Sequence, residues 1–206
     1  MARFYMAGER LRTEELPFLS ERDDTDFSAL QRQTCCFTGH RVIPADEADA
    51  LRVRLLPVLE RLYRDGWRCF WCGGAMGFDT LAAQCVLSLR DVHPDVRLQL
   101  ALPCGTQTER WPEKDRALYE ELKSRADEVR VLSPHYYNGC MMVRNRFMCD
   151  RSSLVISYLT AMRGGTLSTV SYAVQSRLPV LNLGVAGMAE AFVQNGPDIL
   201  STRHGS

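Results

Sequence analysis

From Thr34 onward the sequence alternates short apolar runs with longer segments whose apolar residues recur at helical spacing. The short runs predict buried strands, and the longer segments predict amphipathic helices that pack on them. The predicted strands are residues 34–37, 67–72, 96–102, 128–132, 153–158 and 179–183. The predicted helices are residues 46–65, 79–89, 112–126, 140–151, 164–176 and a short segment at 188–194. This order predicts an α/β fold, a doubly wound, mostly parallel sheet with helices on both faces.

The same pattern divides the chain into three parts. Residues 1–33 contain five arginines and seven acidic residues without sustained periodicity, which predicts a flexible or weakly helical N-terminal extension. We predict that residues 34–187 form the α/β domain and that residues 188–206 are a C-terminal tail. A chain of 206 residues has the length of one domain with an appendage, and it can bury a core without disulfide or metal staples.

No segment approaches the roughly 18 consecutive apolar residues that a membrane span requires. The first residues are polar and charged, unlike a signal peptide, so we expect a cytoplasmic protein with no membrane partner. Most of the eight cysteines lie in apolar runs and are expected to be buried free thiols. Cys69 and Cys72 form a C-x-x-C motif without a second ligand pair. We therefore expect no metal and no cofactor.

The charges of the chain balance, with 25 basic and 25 acidic residues. This balance disfavours nucleic acid as a partner, because proteins that bind it usually carry a basic surface. All of the basic residues except Lys114 and Lys123 are arginines. Codon bias would explain this excess, and so would binding of an anion, because the planar guanidinium pairs with phosphate or carboxylate through two parallel hydrogen bonds.

Glycines and polar residues follow three of the predicted strands. The carboxyl ends of parallel strands meet at one edge of the sheet, where ligands of such folds bind, and glycine lets the backbone approach a ligand closely. The same glycines also suit ordinary strand-to-helix turns, and His40 with Arg41 would suit a solvated loop. Asp79 would cap a helix or contact a ribose, and Thr166 would cap a helix or bind phosphate. The candidate ligand-binding residues are Thr38, Gly39, His40, Arg41, Gly73, Gly74, Gly77, Asp79, Arg144, Gly164, Gly165 and Thr166.

The spacing of these glycines matches neither the G-x-G-x-x-G fingerprint nor the G-x-x-x-x-G-K-[ST] loop. A conventional dinucleotide dehydrogenase and a P-loop NTPase are therefore disfavoured. Asp79 and Asp150 are the carboxylates that we consider as catalytic candidates. Arg144 and Asp150, which share the helix before the fifth strand, have either a structural or a functional role.

Four segments carry a resemblance to a known family: Cys35–Arg41, Gly73–Asp79, Arg144–Asp150, and Gly164–Thr166 with the following Tyr172-Ala173. In this order and spacing, they resemble the YpsA-type branch of the SLOG superfamily over residues 34–184. Relatives in that superfamily include the LOG phosphoribohydrolases, which activate cytokinins, and the DNA-processing protein DprA. The resemblance implies a Rossmann-like domain that binds a nucleotide or a nucleotide-derived ligand at its glycine-rich strand ends. Self-association is also expected, because related folds dimerise.

Three functions follow from the resemblance. The first is sensing or sequestering of a nucleotide-type ligand, and the second is hydrolysis of the N-glycosidic bond of a nucleoside monophosphate. The third, DprA-like binding of single-stranded DNA, is disfavoured by the neutral charge. The hydrolase prediction is weakened because no acidic residue follows between Gly164 and Arg177, where the LOG enzymes carry a glutamate. Arg163 also stands where those enzymes have proline.

Overall fold

The computed structural model describes residues 27–195, and in this part of the chain six parallel strands form one sheet of spatial order β4-β3-β2-β1-β5-β6. The strands are β1 (Thr34–Gly39), β2 (Cys69–Cys72), β3 (Arg97–Leu102), β4 (Glu128–Val131), β5 (Leu154–Tyr158) and β6 (Val180–Asn182). The helices are α1 (Phe27–Arg32), α2 (Ala45–Arg64), α3 (Phe78–Val92), α4 (Glu113–Arg125), α5 (Cys140–Asp150), α6 (Gly164–Gln175) and α7 (Met188–Asn195).

Helices cover both faces of the sheet. On one face α2 packs against α3 and α7, and α3 packs against α4; on the other face α5 packs against α6. The helical spacing that predicted α2 has a direct structural counterpart, because its fully buried residues Leu51, Leu55, Val58, Leu59 and Leu62 share one stripe. The predicted Rossmann-like, doubly wound α/β fold is confirmed.

The strand order reverses at β1. From β1 the chain adds β2, β3 and β4 on one side, and then returns to place β5 and β6 on the other side. The chain segments that follow β1 and β5 lead to helices on opposite faces of the sheet, and this leaves a crevice at the carboxyl ends of the two strands. Thr38 lies beside Ser157, and Gly39 beside Tyr158, at the mouth of this crevice. The fold therefore places the loops after β1 and β5 next to each other.

The two ends of the described chain bear on the predicted domain boundaries. Within the predicted extension, α1 packs beside β1, and Gln31 donates from Nε2 to the Asp150 carbonyl at 3.1 Å. Within the predicted tail, α7 packs on α2 and buries Phe192 completely. Residues 1–26 and 196–206 lie outside the described residues, so the division at residues 33 and 187 stays a prediction.

Candidate functional site

A cavity of about 250 Å³ opens at the carboxyl edge of the sheet, over the crevice between β1 and β5. It joins the end of β1, the β5–α6 loop, the first turn of α6 and one face of α5. This polar cavity is lined by Phe37, Thr38, Gly39, His40, Arg41, Ala75, Asp79, Met141, Arg144, Asn145, Arg163, Gly164, Gly165 and Thr166. Most of the residues that the sequence predicted as ligand-binding therefore lie together in the structure.

The first turn of α6 faces the polar cavity without a capping side chain. Arg163 occupies the N-cap position in an extended conformation, and it makes no side-chain hydrogen bond to the helix end. The first N–H groups of any α-helix lack partners within the helix, and they carry a partial positive charge. The prediction that Thr166 caps α6 is wrong, because the helix already begins at Gly164 and Thr166 is buried in its first turn.

Asp79 and Arg144 form an ion pair at the base of the cavity, with Arg144 Nη1 3.4 Å from Asp79 Oδ2. Both side chains are buried, at 7% and 6% exposure. Burial raises the pKa of Asp79, and the guanidinium of Arg144 offsets part of that rise. Burial likewise lowers the pKa of Arg144, against the attraction of Asp79. Desolvation is the largest cause of both pKa shifts. Burial of this ion pair therefore costs free energy, which other interactions of the fold must offset.

Arg144 retains unused hydrogen-bonding capacity. Its buried Nε has no hydrogen-bond partner among the described residues. A buried donor without a partner is rare in folded proteins and often marks the place of a missing water or ligand. Arg144 also lines the polar cavity, so its guanidinium forms part of the base of that cavity.

One of the two predictions for Asp79 was that it caps α3, and in the structure it does not. The helix begins one residue earlier, after Gly77. Asp79 Oδ2 instead accepts from the Ala75 N–H at 3.3 Å. Asp79 therefore ties the β2–α3 turn to α5 through a single carboxylate.

The three glycines of the β2–α3 turn make room for protein groups and are not among the residues that line the cavity. A Cβ at Gly73 would lie 1.3 Å from Arg144 Nη1, so the guanidinium occupies the space of the absent side chain. Gly77 has φ of 76°, and its Cβ would lie 2.4 Å from the Arg41 carbonyl oxygen. The Gly74 carbonyl accepts from Gln107 Nε2 at 2.8 Å. The structure thus does not support a ligand-contacting position for Gly73, Gly74 or Gly77.

His40 anchors the loop that leads to Arg163. Its Nε2 accepts the backbone N–H groups of Thr160 and Ala161, at 3.1 and 3.3 Å. These contacts connect the end of β1 to the β5–α6 loop across the crevice. Of the pair that the sequence offered as a solvated loop, Arg41 is exposed, whereas His40 is half-buried and its ring is engaged with the backbone.

Arg41 and Arg163 are exposed at the mouth of the polar cavity. Neither arginine forms an ion pair within residues 27–195, whereas the charge of Arg144 is balanced by Asp79. Asp79 is also the one carboxylate among the described residues that line the cavity. The cavity therefore has an excess of positive charge.

Asp150 lies away from the polar cavity. It is six residues, or about 1.7 helical turns, beyond Arg144, so the two side chains leave α5 in different directions. Its Oδ1 accepts from the Tyr172 hydroxyl at 2.6 Å, which joins α5 to α6. Asp150 therefore has a structural contact, and as a catalytic candidate it is not supported by the structure.

Met141 and Asn145 line the cavity but were not among the predicted site residues. Both flank Arg144 on α5, at the positions three before and one after it. Helical periodicity around Arg144 was the available signal for Met141, because residues three apart share a helix face.

The C-x-x-C motif does not form a chelating pair. Cys69 and Cys72 lie three residues apart on β2, and strand geometry directs them to opposite faces of the sheet. Burial raises the pKa of Cys72 well above the ordinary thiol value. Within residues 27–195, no group of histidine, cysteine and acidic residues is arranged to hold a metal ion. The same residues contain no helix with the length and apolar character needed to cross a membrane.

The fold and this cavity together define a Rossmann-like α/β protein with an arginine-lined cavity at the reversal of its strand order. The model of the YspA SLOG family matches residues 45–176. The chain belongs to this family, and the resemblance predicted from its sequence is confirmed.

Two bacterial relatives illustrate the match. The SPbeta prophage-derived protein YoqJ of Bacillus subtilis is 28% identical over 141 residues, which are 62% of this chain and 82% of that protein. A UPF0398 protein of Bacillus cereus is 27% identical over 119 residues, which are 57% of this chain and 62% of that protein. The chain is thus similar to each of these proteins over more than half of its length.

Two solved structures share the fold. DNA processing protein A (DprA) from Streptococcus pneumoniae aligns with a TM-score of 0.56 and 19% identity, over 84% of this chain and 62% of that protein. DprA from Helicobacter pylori, whose structure addresses its binding of single-stranded DNA, aligns with a TM-score of 0.53 and 17% identity, over 87% and 83%. At this identity the likeness concerns the fold alone. The expectation that nucleic acid is a disfavoured partner finds no support in these neighbours.

Proposed function

We propose that the protein binds a nucleotide or nucleotide-derived ligand and holds its phosphate in the polar cavity, as a sensing or sequestering module. The observation that carries the proposal is the excess of positive charge there. Arg41 and Arg163 lack carboxylate partners among the described residues, and the uncapped N-terminus of α6 faces the same space. Guanidinium groups and helix N-termini both bind phosphate oxygens.

Buried Arg144 supports the same proposal from the base of the cavity. Its guanidinium lines the cavity and is paired with Asp79. The ion pair with Asp79 holds the guanidinium in the space where a side chain at position 73 would otherwise lie. The arrangement is preorganised, because the ligand need not order this arginine on binding.

Hydrolysis of an N-glycosidic bond has weaker support. Such hydrolysis uses a positioned carboxylate as acid, base or stabiliser. Asp79 is the carboxylate that lines the cavity among the described residues, and it is buried against Arg144. We therefore prefer a binding role, and an assay of adenine release from AMP tests the alternative directly.

Calorimetry and thermal unfolding with three probes test the proposed function. AMP and ribose 5-phosphate are expected to bind, and saturation at 100 times the dissociation constant would add roughly 2.7 kcal/mol of stability. Adenosine, which lacks the phosphate, is expected to bind at least about tenfold more weakly than AMP. Arg163→Gln should weaken AMP binding, whereas Arg116→Gln, at an exposed position of α4 outside the cavity, should not.

Two results would contradict the proposal. The first is a failure of every phosphate-bearing probe to bind the full chain. The second is salt-sensitive binding of a single-stranded oligonucleotide that AMP does not displace and that Arg163→Gln does not weaken. Such binding would favour a DNA-binding surface outside the polar cavity.

A further inference from the structure

The β5–α6 loop, residues 159–163, brings Arg163 to the mouth of the polar cavity and is fixed at both ends. At its start, Asn182 of β6 accepts the Leu159 N–H through Oδ1 at 3.0 Å and donates from Nδ2 to the Leu159 carbonyl at 2.9 Å. At its end the chain enters α6 at Gly164. Between these ends the side chain of Met162 is 79% exposed, so its burial does not hold the middle of the loop.

The imidazole of His40 holds the middle of this loop. Its Nε2 accepts the N–H groups of Thr160 and Ala161. The Ala161 carbonyl in turn accepts the Arg163 N–H at 2.8 Å. The His40 ring is therefore connected to the backbone of Arg163 through a single intervening residue.

The position of the His40 ring is itself fixed by the neighbouring elements. Its backbone N–H donates to the Tyr158 carbonyl of β5 at 3.4 Å, and its carbonyl accepts the Phe78 N–H of α3 at 3.1 Å. The ring of Tyr158 lies edge-on to the imidazole, with 6.1 Å between the two ring centres. The imidazole is thus a half-buried, anchored acceptor in the crevice between β1 and β5.

The double acceptor role of Nε2 requires a neutral imidazole. An imidazolium carries a proton on both ring nitrogens and accepts no hydrogen bond. A proton on Nε2 would therefore face two N–H groups that also donate. Histidine is the side chain whose charge ordinarily changes between about pH 5 and pH 8, so this attachment of the loop depends on a proton in that range.

The charged and titratable groups around His40 come from its own loop and from the elements packed near it. Burial raises the pKa of the adjacent Tyr158, and Glu47, Arg54 and Asp46 of α2 act on the same hydroxyl; of these, Glu47 is paired with Arg54 and Asp46 is exposed. The groups that line the polar cavity with His40 are Arg41, Arg144, Arg163 and Asp79, the last paired with Arg144. Among the described residues, the cavity therefore offers an imidazolium no unpaired carboxylate.

We infer that His40 is a positioning residue that makes the proposed phosphate site sensitive to protons: its neutral ring holds the β5–α6 loop and Arg163 in place, and its protonation releases them. This inference rests on the proposed function. Arg41 and Arg163 approach the cavity from opposite sides of the crevice. Once the loop is released, the ligand must order Arg163 on binding, and this ordering lowers affinity. The affinity then falls in proportion to the fraction of molecules whose loop is held.

Calorimetry with AMP on the full chain at pH 8 and pH 5.5 compares the unmodified protein with His40→Gln. The amide oxygen of glutamine accepts hydrogen bonds at both pH values, because it does not titrate. The two proteins are expected to bind AMP similarly at pH 8, whereas at pH 5.5 the unmodified chain should bind it about tenfold more weakly than the variant. Titration of the AMP phosphate affects both proteins alike and cancels in the comparison. His135→Gln, at an exposed histidine outside the cavity, is the matched control and should follow the unmodified chain.

Amide hydrogen exchange at Thr160 and Ala161 tests the loop without any ligand. The protection factors of these two amides are expected to fall between pH 8 and pH 5.5 in the unmodified chain and to stay constant in His40→Gln. Protection that does not change with pH in the unmodified chain would overturn the inference, and so would parallel pH profiles of AMP affinity in the two proteins. If AMP binds at neither pH while the loop still loses protection in acid, the proposed function fails and the proton-sensitive attachment of the loop stands.

Discussion

Arg144 of α5 lies in the space that Gly73 leaves open after β2, and there it forms a buried ion pair with Asp79 of α3. The pair connects helices on opposite faces of the sheet. Because the Asp79 side chain also accepts the Ala75 N–H, the β2–α3 turn, α3 and α5 meet at one carboxylate. The base of the cavity is thus held together by a buried ion pair.

Removal of both members of this pair should cost less than the sum of the two single removals. Arg144→Met leaves a buried carboxylate without its partner, and such changes cost about 3–5 kcal/mol. Asp79→Asn leaves the guanidinium uncompensated. The double variant Asp79→Asn/Arg144→Met has no buried charge and should lose less stability than the two single variants together. Urea denaturation of the four proteins measures this coupling, and strictly additive losses would contradict it.

The raised pKa of Asp79 predicts how stability depends on pH in the variant Arg144→Met. A carboxyl whose pKa is raised on folding binds more protons in the native state, so stability falls as pH rises from the ordinary value of 3.8 toward the raised value. Without the guanidinium the pKa rises further, and the fall should extend to higher pH. Urea midpoints of Arg144→Met, measured from pH 4 to pH 7 relative to the unmodified chain, check this expectation. In the double variant Asp79→Asn/Arg144→Met, which has no carboxyl at position 79, this additional pH dependence should be absent.

The strands and helices could be predicted because apolar spacing determines which residues the sheet can bury. Phe37 and Leu55 are fully buried, as the short apolar run and the helical stripe predicted. The ends of elements were less accurate. Gly39 still belongs to β1, two residues beyond the predicted end, because its backbone pairs with Tyr158 on a strand that is distant in sequence.

The candidate site was predicted in outline, and its errors have a common cause. Glycines signal that space is needed but do not tell what fills it. At Gly73 the space is filled by Arg144, a residue of α5 that is more than seventy positions away in the sequence. Asp150 was selected by residue type, whereas its direction on α5 leads it to the hydroxyl of Tyr172. Both facts depend on tertiary packing.

His40 is expected to control the order of the β5–α6 loop. His40→Ala removes the acceptor of the Thr160 and Ala161 N–H groups. Amide hydrogen exchange at these two residues should accelerate, because their N–H groups are then hydrogen-bonded only to water. Exchange in α2 provides the internal control and should not change. Unaltered exchange at residues 160 and 161 would show that another contact holds the loop.

Arg177 identifies a position where stability can be gained. It has a φ of 58°, a left-handed conformation that is strained for a residue with a Cβ, and it follows the C-cap of α6. Arg177→Gly should raise the free energy of unfolding by about 0.5–1 kcal/mol. Arg177→Ala removes the exposed side chain but keeps the strain, so it should have no such effect. Equal stability of the two variants would contradict the role of the backbone conformation.

Gly164 and Gly165 allow stability and binding to be separated at the first turn of α6. Gly164 has φ of 81°, so Gly164→Ala should lower stability by about 1 kcal/mol. Gly165 has no positive φ, and a Cβ there would meet no atom within 4 Å, so Gly165→Ala should leave the melting temperature unchanged or slightly raised. Gly165 lines the polar cavity. The added methyl group would therefore stand in the ligand's path and weaken AMP binding by about tenfold. Calorimetry on a stable Gly165→Ala protein measures this loss, and an unchanged affinity would mean that the ligand does not approach the backbone at this turn.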